Sequence, residues 1–134
     1  MKFKANILYV DDDEDSRELL QFYFANQGYC ITAAQNSVEA IKKAGENKFD
    51  LFMLDVRLPD GNGGDLALIR RKMQPFTPII YYTASGFAHE KREAMAKCGD
   101  AYLVKPVALE EVEMTIEKIL MLNKIASLKF SGSI

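Results

Sequence analysis

Short apolar runs alternate along the chain with longer stretches in which apolar residues recur every three or four positions. Strands covered by helices on both faces have such continuous apolar runs, whereas three-four spacing is typical of a helix with one buried face. The pattern therefore predicts five strands, each followed by a helix. The predicted strands cover residues 7–10, 29–33, 51–54, 78–83 and 102–104.

The predicted helices are bounded by residues that favour helix ends. The glycines of the loop 59–64 allow positive φ before the third helix. The five predictions are a helix from Ser16 to a stop at Gly28, one capped at Ser37 with Gly45 near its end, one over 65–73, one from Ala88 to about Lys97 closed by Gly99, and one from Leu109.

Five strand–helix units predict an α/β fold with a doubly wound sheet. Crossovers between parallel strands are nearly always right-handed, so helices should cover both faces. The expected fold is a flavodoxin-like, five-stranded parallel sheet in the order 2-1-3-4-5.

The last helix has an apolar face that includes Leu109, Val112 and Ile116. We expect this helix to end near Leu122, so that 1–122 form one domain and 123–134 a C-terminal tail or the start of a linker. Alternatively, the three-four spacing continues as a coiled-coil-like connector. In that case Asn123 sets the register and Ala126 and Phe130 extend the seam.

Composition narrows the possible partners and location. The chain has 134 residues, 49% hydrophobic and 27% charged, with a net charge of −2. No basic stripe predicts a direct nucleic-acid partner, and no apolar segment predicts a membrane partner, so we expect a cytoplasmic protein. Cys30 and Cys98 are far apart, outside any zinc motif, and are expected to be reduced and largely buried.

Carboxylate, hydroxyl and amine side chains lie at or just after the ends of several predicted strands. The carboxyl ends of parallel strands meet at one edge of the sheet, so these residues should converge there. Alone, Asp55 could merely cap the turn after its strand. The set consists of Asp11 and Asp12 after the first strand, Asp55 after the third, Thr83 at the end of the fourth and Lys105 after the fifth.

Several segments around these residues match the pattern of a known family, and in order and spacing they resemble the receiver domain of two-component response regulators. The resemblance covers about residues 5–122. The matching segments are Val10-Asp11-Asp12, Leu54-Asp55, Leu58-Pro59, Gly63, Tyr82-Thr83-Ala84 and Asp100 to Pro106.

The resemblance implies that Asp55 accepts a phosphoryl group from a phosphohistidine on a histidine kinase or phosphotransfer protein. Mg²⁺, with Mn²⁺ as a possible substitute, would bind to oxygen ligands, which suit a hard cation. The implied ligands are Asp11, Asp12, Asp55 and the backbone carbonyl of Arg57. Thr83 and Lys105 would contact the phosphoryl group.

The resemblance also assigns residues to switching and to phosphate lifetime. Thr83 and Tyr102 are the expected switch pair, in which Tyr102 moves from a solvent-facing to an inward position after phosphorylation. Arg57 and Ser85 occupy variable positions beside the phosphoryl group and are expected to set its lifetime. A cis bond is implied before Pro106.

The expected function is a signalling switch of a phosphorelay, not an enzyme with a separate substrate. It would catalyse only its own phosphorylation and dephosphorylation, and would signal to a protein target or a homodimer through the fourth helix, fifth strand and fifth helix. The alternative is a degenerate receiver that binds partners without phosphorylation. An aspartyl-phosphate hydrolase fits poorly, because Asp55-Val56-Arg57 lacks a second Asp.

Two further polar residues have simpler explanations. Asp13 is expected to cap the first helix rather than bind metal. His89 has no neighbours in sequence suited to metal binding or base catalysis, and we expect it to be a solvated surface residue.

Overall fold

The computed structural model describes the backbone of residues 3–132 and the side chains of residues 3–129. Its strands and helices alternate as the apolar pattern predicts. They are β1 (Asn6–Val10), α1 (Glu14–Asn26), β2 (Cys30–Ala34), α2 (Ser37–Glu46), β3 (Leu51–Leu54), α3 (Gly63–Met73), β4 (Ile79–Thr83), α4 (Ala88–Ala96), β5 (Ala101–Val104) and α5 (Leu109–Gly132).

The five strands form one parallel sheet in the order β2-β1-β3-β4-β5. This confirms the predicted flavodoxin-like order. Val10 at the end of β1 lies opposite both Ala34 of β2 and Leu54 of β3. The ends of the central strands are therefore in register, and the residues that follow them emerge side by side.

Alternate residues of each strand point to opposite faces of the sheet, and each face has its own core. Leu8 and Phe52 belong to the core under α2, α3 and α4. Tyr9 and Met53 belong to the core under α1 and α5. Because both faces are covered, β1 and β3 read as continuous apolar runs.

The helices α1 and α2 begin elsewhere than predicted because side chains cap their free N–H groups. α1 begins at Glu14, two residues early, because Asp13 accepts a hydrogen bond from the Ser16 N–H at 3.1 Å. The capping role predicted for Asp13 is thus confirmed. α2 is capped by Asn36 rather than Ser37, and Gly45 lies inside it.

The glycine-rich loop is more regular than predicted. Arg57–Leu58 and Gly61–Asn62 pair as a short antiparallel ribbon, and α3 begins at Gly63. Only Gly61 of the glycines in this loop has positive φ. A Cβ on Gly63 would overlap the Asp55 carbonyl oxygen, so this glycine is needed for close packing.

α4 ends near the predicted position, but a different residue makes the turn that ends it. Cys98, not Gly99, adopts the left-handed conformation, with φ of 69°. A Cβ on Gly99 would lie 2.7 Å from the Tyr81 ring. Both cysteines are free and half-buried, which is less burial than predicted.

α5 continues to Gly132, so the prediction that it ends near Leu122 is wrong. No proline or glycine interrupts the sequence between Leu109 and Ser131, and most residues of the extension favour helix. Leu109, Val112 and Ile116 pack on the sheet as part of the core. The predicted seam residue Phe130 has a side chain outside the described part.

Within the described residues, no helix is long and apolar enough to cross a membrane.

Candidate functional site

Three carboxylates meet where β1 and β3 end. Backbone hydrogen bonds extend the sheet past both strands, from the Asp11 N–H to Ala34 and from the Asp55 N–H to Val10, each at 3.0 Å. Carboxylate oxygens of Asp11, Asp12 and Asp55 lie within 4.8 Å of one another. The predicted convergence is thus present in the structure.

Asp11 is the buried member of this cluster, and its hydrogen bonds compensate for the burial. The Tyr9 hydroxyl donates to its Oδ2 at 2.5 Å, and the Asp13 N–H donates to its Oδ1 at 3.0 Å. Burial raises the pKa of Tyr9, so its phenol remains a proton donor. Tyr9 was not among the predicted site residues, although its place two residues before Asp11 puts it on the same face of the strand.

Asp55 is half-buried and held through one oxygen. Its Oδ1 accepts hydrogen bonds from the Thr83 hydroxyl at 2.6 Å and the Arg57 N–H at 3.1 Å. Within residues 3–129, its Oδ2 accepts no hydrogen bond. Burial raises the pKa of Asp55, and the two hydrogen bonds partly oppose that shift. One carboxylate oxygen is therefore positioned by the protein while the other is free to react.

Lys105 brings a positive charge to the cluster. The bond to Pro106 is cis, as the resemblance implied. The Lys105 ammonium forms an ion pair with the buried Oδ2 of Asp11 and lies 4.8 Å from the centroid of the Tyr82 ring. It also lies 3.4 Å from the Ser16 hydroxyl. The amine is thus fixed beside the carboxylates.

Arg57 and Ser85, the expected lifetime residues, are joined by Glu90, which was not among the predicted site residues. The Arg57 guanidinium donates to Glu90 Oε1 at 2.9 Å, and the Ser85 hydroxyl donates to Glu90 Oε2. The hydrogen bonds from Ser85 and Arg57 lower the pKa of Glu90. Glu90 stands 33 positions after Arg57 and no local pattern marks it, so only the fold shows the contact.

The expected switch pair is not in the expected starting arrangement. Thr83 already donates to Asp55, and Tyr102 is half-buried rather than solvent-facing. The Tyr102 hydroxyl donates to the Ser85 carbonyl at 2.8 Å, and its ring centroid lies 6.0 Å from that of Tyr81. This hydrogen bond and this ring contact hold Tyr102 in the inward position.

The donor set fits a hard divalent cation. Three carboxylates repel one another, and Lys105 offsets only one of their charges. Mg²⁺ binds carboxylate oxygens and retains several waters, so it does not need a complete protein cage. The carbonyl of Arg57 as a further ligand remains a prediction.

His89 is exposed, with its ring 5.9 Å from that of Phe87, as expected for a surface residue.

Comparison with known proteins agrees with this geometry. The model of the response regulator receiver domain family matches residues 7–117. The chain therefore belongs to the receiver domain family of two-component response regulators.

Three relatives illustrate the similarity. The chain is 35% identical over 121 residues to the alkaline phosphatase synthesis transcriptional regulatory protein PhoP of Bacillus subtilis, covering 90% of this chain and 50% of PhoP. It is 34% identical over 117 residues to the transcriptional regulatory protein ResD of the same organism, covering 87% and 48%. A crystal structure of a two-component response regulator from Clostridium difficile has a TM-score of 0.84 at 34% identity, covering 88% and 97%.

The chain spans about half the length of the curated relatives PhoP and ResD. Both are named transcriptional regulatory proteins. The expectation that no nucleic acid is a direct partner is therefore not supported by these relatives, although the chain itself has no basic stripe.

Proposed function

We propose that this domain is a phosphorylation-dependent switch of a two-component phosphorelay and that Asp55 is the phosphoacceptor. A phosphohistidine on a histidine kinase or phosphotransfer protein would be the donor. The observation that supports this best is the placement of Asp55, which has one oxygen held by Thr83 and the other free beside Asp11 and Asp12. The kinase or phosphotransfer protein would bind the domain in the cytoplasm.

The reaction follows from the positions of the side chains. The free oxygen of Asp55 attacks phosphorus, the bond from phosphorus to the histidine nitrogen breaks, and the imidazole leaves as the acyl phosphate forms. A carboxylate is a weak nucleophile, so the site must work mainly by positioning and by neutralising charge. Lys105 and the Thr83 hydroxyl are placed to contact the phosphoryl oxygens.

A divalent cation completes the charge balance in this proposal. Asp11, Asp12, Asp55 and the carbonyl of Arg57 would hold Mg²⁺, or Mn²⁺ in its place, and the cation would supply positive charge to the phosphoryl oxygens. The domain would act on no separate substrate. Its chemistry would be limited to its own phosphorylation and dephosphorylation.

The proposed output surface consists of α4, β5 and α5. A downstream protein or a second copy would dock around residues 89–97 and 110–117. The inward Tyr102 favours a second candidate, a domain that binds its partner without phosphorylation. Phosphorylation itself separates the two, because a degenerate receiver would not be labelled.

The test is incubation with acetyl phosphate and Mg²⁺ followed by intact-mass measurement. We expect a gain of one phosphoryl mass that requires the cation and disappears in Asp55→Asn. Asp50→Asn is the matched control, because Asp50 lies just before the other end of β3 and its carboxylate, within the described part of the chain, accepts only the Asn6 N–H, at 2.8 Å. Labelling that persists in Asp55→Asn would assign the phosphate to another residue. A chain that is never labelled would favour the second candidate.

A further inference from the structure

The solvent-facing side of α5 carries an apolar stripe that does not belong to the core. Met114, Met121, Ile125 and Leu128 follow one another seven, four and three residues apart and line one side of the helix, with the exposed Lys118 on the same side between the first two. They are 69%, 64%, 46% and 63% exposed, respectively. Met114 and Leu128 lie roughly 21 Å apart along the axis. The stripe is thus long enough to pair with another helix.

Charges along this stripe change sign from its N-terminal to its C-terminal part. Glu111 and Glu117 flank the N-terminal part, Lys118 lies near the centre, and Lys124 and Lys129 flank the C-terminal part. Glu111, Glu117, Lys124 and Lys129 are all exposed. Among residues 3–129, none of the four forms an ion pair. No acidic residue follows Glu117 in the sequence. When a second copy of α5 lies antiparallel to the first, the acidic part of each stripe therefore faces the basic part of the other.

We propose that two copies of this chain pair antiparallel through the apolar stripe of α5. A twofold axis at Met121 places Met114 of one copy against Leu128 of the other. It also brings Glu117 beside Lys124, on one edge of the stripe, and Glu111 beside Lys129 on the opposite edge. Because the interface is isologous, each ion pair occurs twice.

Parallel pairing of the same stripe is electrostatically worse. In a parallel coil, a residue on one edge faces the residue five positions later on the other edge of the partner. Lys124 would then face Lys129 of the second copy, twice by symmetry. Charge therefore selects the antiparallel orientation.

A second copy also fits better than a lipid surface. Lys118, Lys124 and Lys129 would attract anionic lipid, but Glu111 and Glu117 border the same stripe and would be repelled by it. A partner would also stabilise the C-terminal turns of α5. Helical turns that lack tertiary packing are marginal in water, and an antiparallel helix supplies that packing.

The test is sedimentation equilibrium of the unphosphorylated, full 134-residue chain. We expect a reversible monomer–dimer equilibrium that Lys124→Glu weakens roughly 3- to 10-fold, because the substituted carboxylate would face Glu117 of the partner copy at two symmetric positions. The double variant Glu117→Lys/Lys124→Glu should restore the wild-type constant. Lys42→Glu makes the same charge change on exposed α2 and should have no effect.

Each other outcome overturns the proposal. Tighter dimerisation of Lys124→Glu would indicate parallel pairing, because the substituted carboxylate would then attract Lys129. A wild-type chain that stays monomeric at every concentration would exclude the second copy. Binding of that monomer to phosphatidylserine vesicles, lost in Met121→Asp, would assign the stripe to a lipid surface. Circular dichroism confirms that each variant is folded, and phosphorylation of Asp55 plays no part in the measurement.

Discussion

Glu90 connects the mouth of the candidate site to α4. Its two carboxylate oxygens accept hydrogen bonds from Arg57 and Ser85, and the Arg57 guanidinium also lies 5.8 Å from the centroid of the Phe87 ring. A phosphoryl group on Asp55 would carry about two negative charges, more than the carboxylate of Glu90. The phosphoryl group and Glu90 would thus compete for the same guanidinium.

This competition predicts opposite effects on the lifetime of the aspartyl phosphate. Arg57→Ala should shorten it, because the planar cation no longer shields the phosphoryl group from water. Glu90→Gln should lengthen it roughly two- to fivefold, because Arg57 is freed from an exposed ion pair. Loss of the phosphoryl mass over time, measured after removal of acetyl phosphate, gives both lifetimes.

The double variant distinguishes this competition from a direct effect of Glu90. If Glu90 acts only through Arg57, Arg57→Ala/Glu90→Gln should have the lifetime of Arg57→Ala. Arg92→Ala, an exposed change on the same helix, is the control. A lifetime that Glu90→Gln lengthens equally with and without Arg57 contradicts the proposed route.

Arg70 is an unusual core residue. It is fully buried on α3, and its Nε and Nη1 have no hydrogen-bond partner within the described residues. Its Nη2 contacts the Met73 sulfur at 3.2 Å, and its guanidinium lies 6.0 Å from the centroid of the Phe52 ring. A buried charge without an anion is costly, and this burial lowers the pKa of Arg70.

Arg70→Met should therefore raise the free energy of unfolding, by about 1 kcal/mol, because it removes the unpaired charge and keeps an unbranched side chain. Urea denaturation measures the change. Lys72→Met, at an exposed position of the same helix, should leave the midpoint unchanged. A destabilised Arg70→Met would mean that the guanidinium has an anionic or water partner.

Individual residues differ in how far sequence could predict them. Asp11, Asp55, Thr83 and Lys105 were predictable because each lies at a strand end, where topology alone brings them together. The inward position of Tyr102 was not, because it depends on a hydrogen bond to the Ser85 carbonyl, 17 positions away. Contacts between loops are set by the fold and leave no periodic signal.

At the scale of elements, two glycines are fixed by packing rather than by backbone angle. The start of α3 lies directly on the carbonyl of Asp55, and the Gly63 N–H donates to Val56 at 3.0 Å. A Cβ on Gly63 would lie 2.9 Å from the Asp55 carbonyl carbon, so any side chain must push the helix and Asp55 apart. Gly99 is held in the same way against the Tyr81 ring. Gly63 thereby couples α3 to the site.

We expect Gly63→Ala to lower the free energy of unfolding by about 1–3 kcal/mol, the usual effect of overpacking, and to slow labelling of Asp55. Gly45→Ala is the matched control. In α2 the nearest atom to its Cβ would be the Met73 methyl at 3.6 Å, an ordinary contact, so a gain of about 0.5–1 kcal/mol is expected. Urea denaturation of both variants measures the difference. Equal stability changes would contradict the packing role of Gly63.

The order of the elements was predictable, and some of their ends were not. Apolar runs located the ends of all five strands to within one residue because both faces of the sheet are buried. The end of α5 was misplaced because the sheet-facing series weakens at Asn123 while the helix continues to Gly132. α5 therefore continues beyond its contact with the core. Its exposed side carries the second apolar stripe, which runs from Met114 to Leu128.

At the scale of the whole molecule, hydrogen bonds connect Asp55 to the proposed output surface. Thr83 contacts Asp55 on one side of the sheet end, and Tyr102 on β5 hydrogen-bonds to Ser85, two residues after Thr83. A change of charge at Asp55 would therefore reach β5 through Thr83 and the segment that carries Ser85. Phosphorylation would act by shifting the population of states in which these contacts are made.

This view predicts that Thr83→Ala affects the output surface before any phosphate is added. Without the hydroxyl, the 2.6 Å hydrogen bond to Asp55 is lost, and chemical shifts in α4, β5 and α5 should move in the unphosphorylated domain. The variant should still accept a phosphoryl group on Asp55 but show a smaller further change at that surface, and no phosphorylation-dependent gain in partner binding. Thr77→Ala, at the opposite end of the sheet, is the control for loss of a threonine hydroxyl. Should Thr83→Ala and wild type give the same shifts at that surface, with and without phosphate, the signal must leave the site by a route that does not include Thr83.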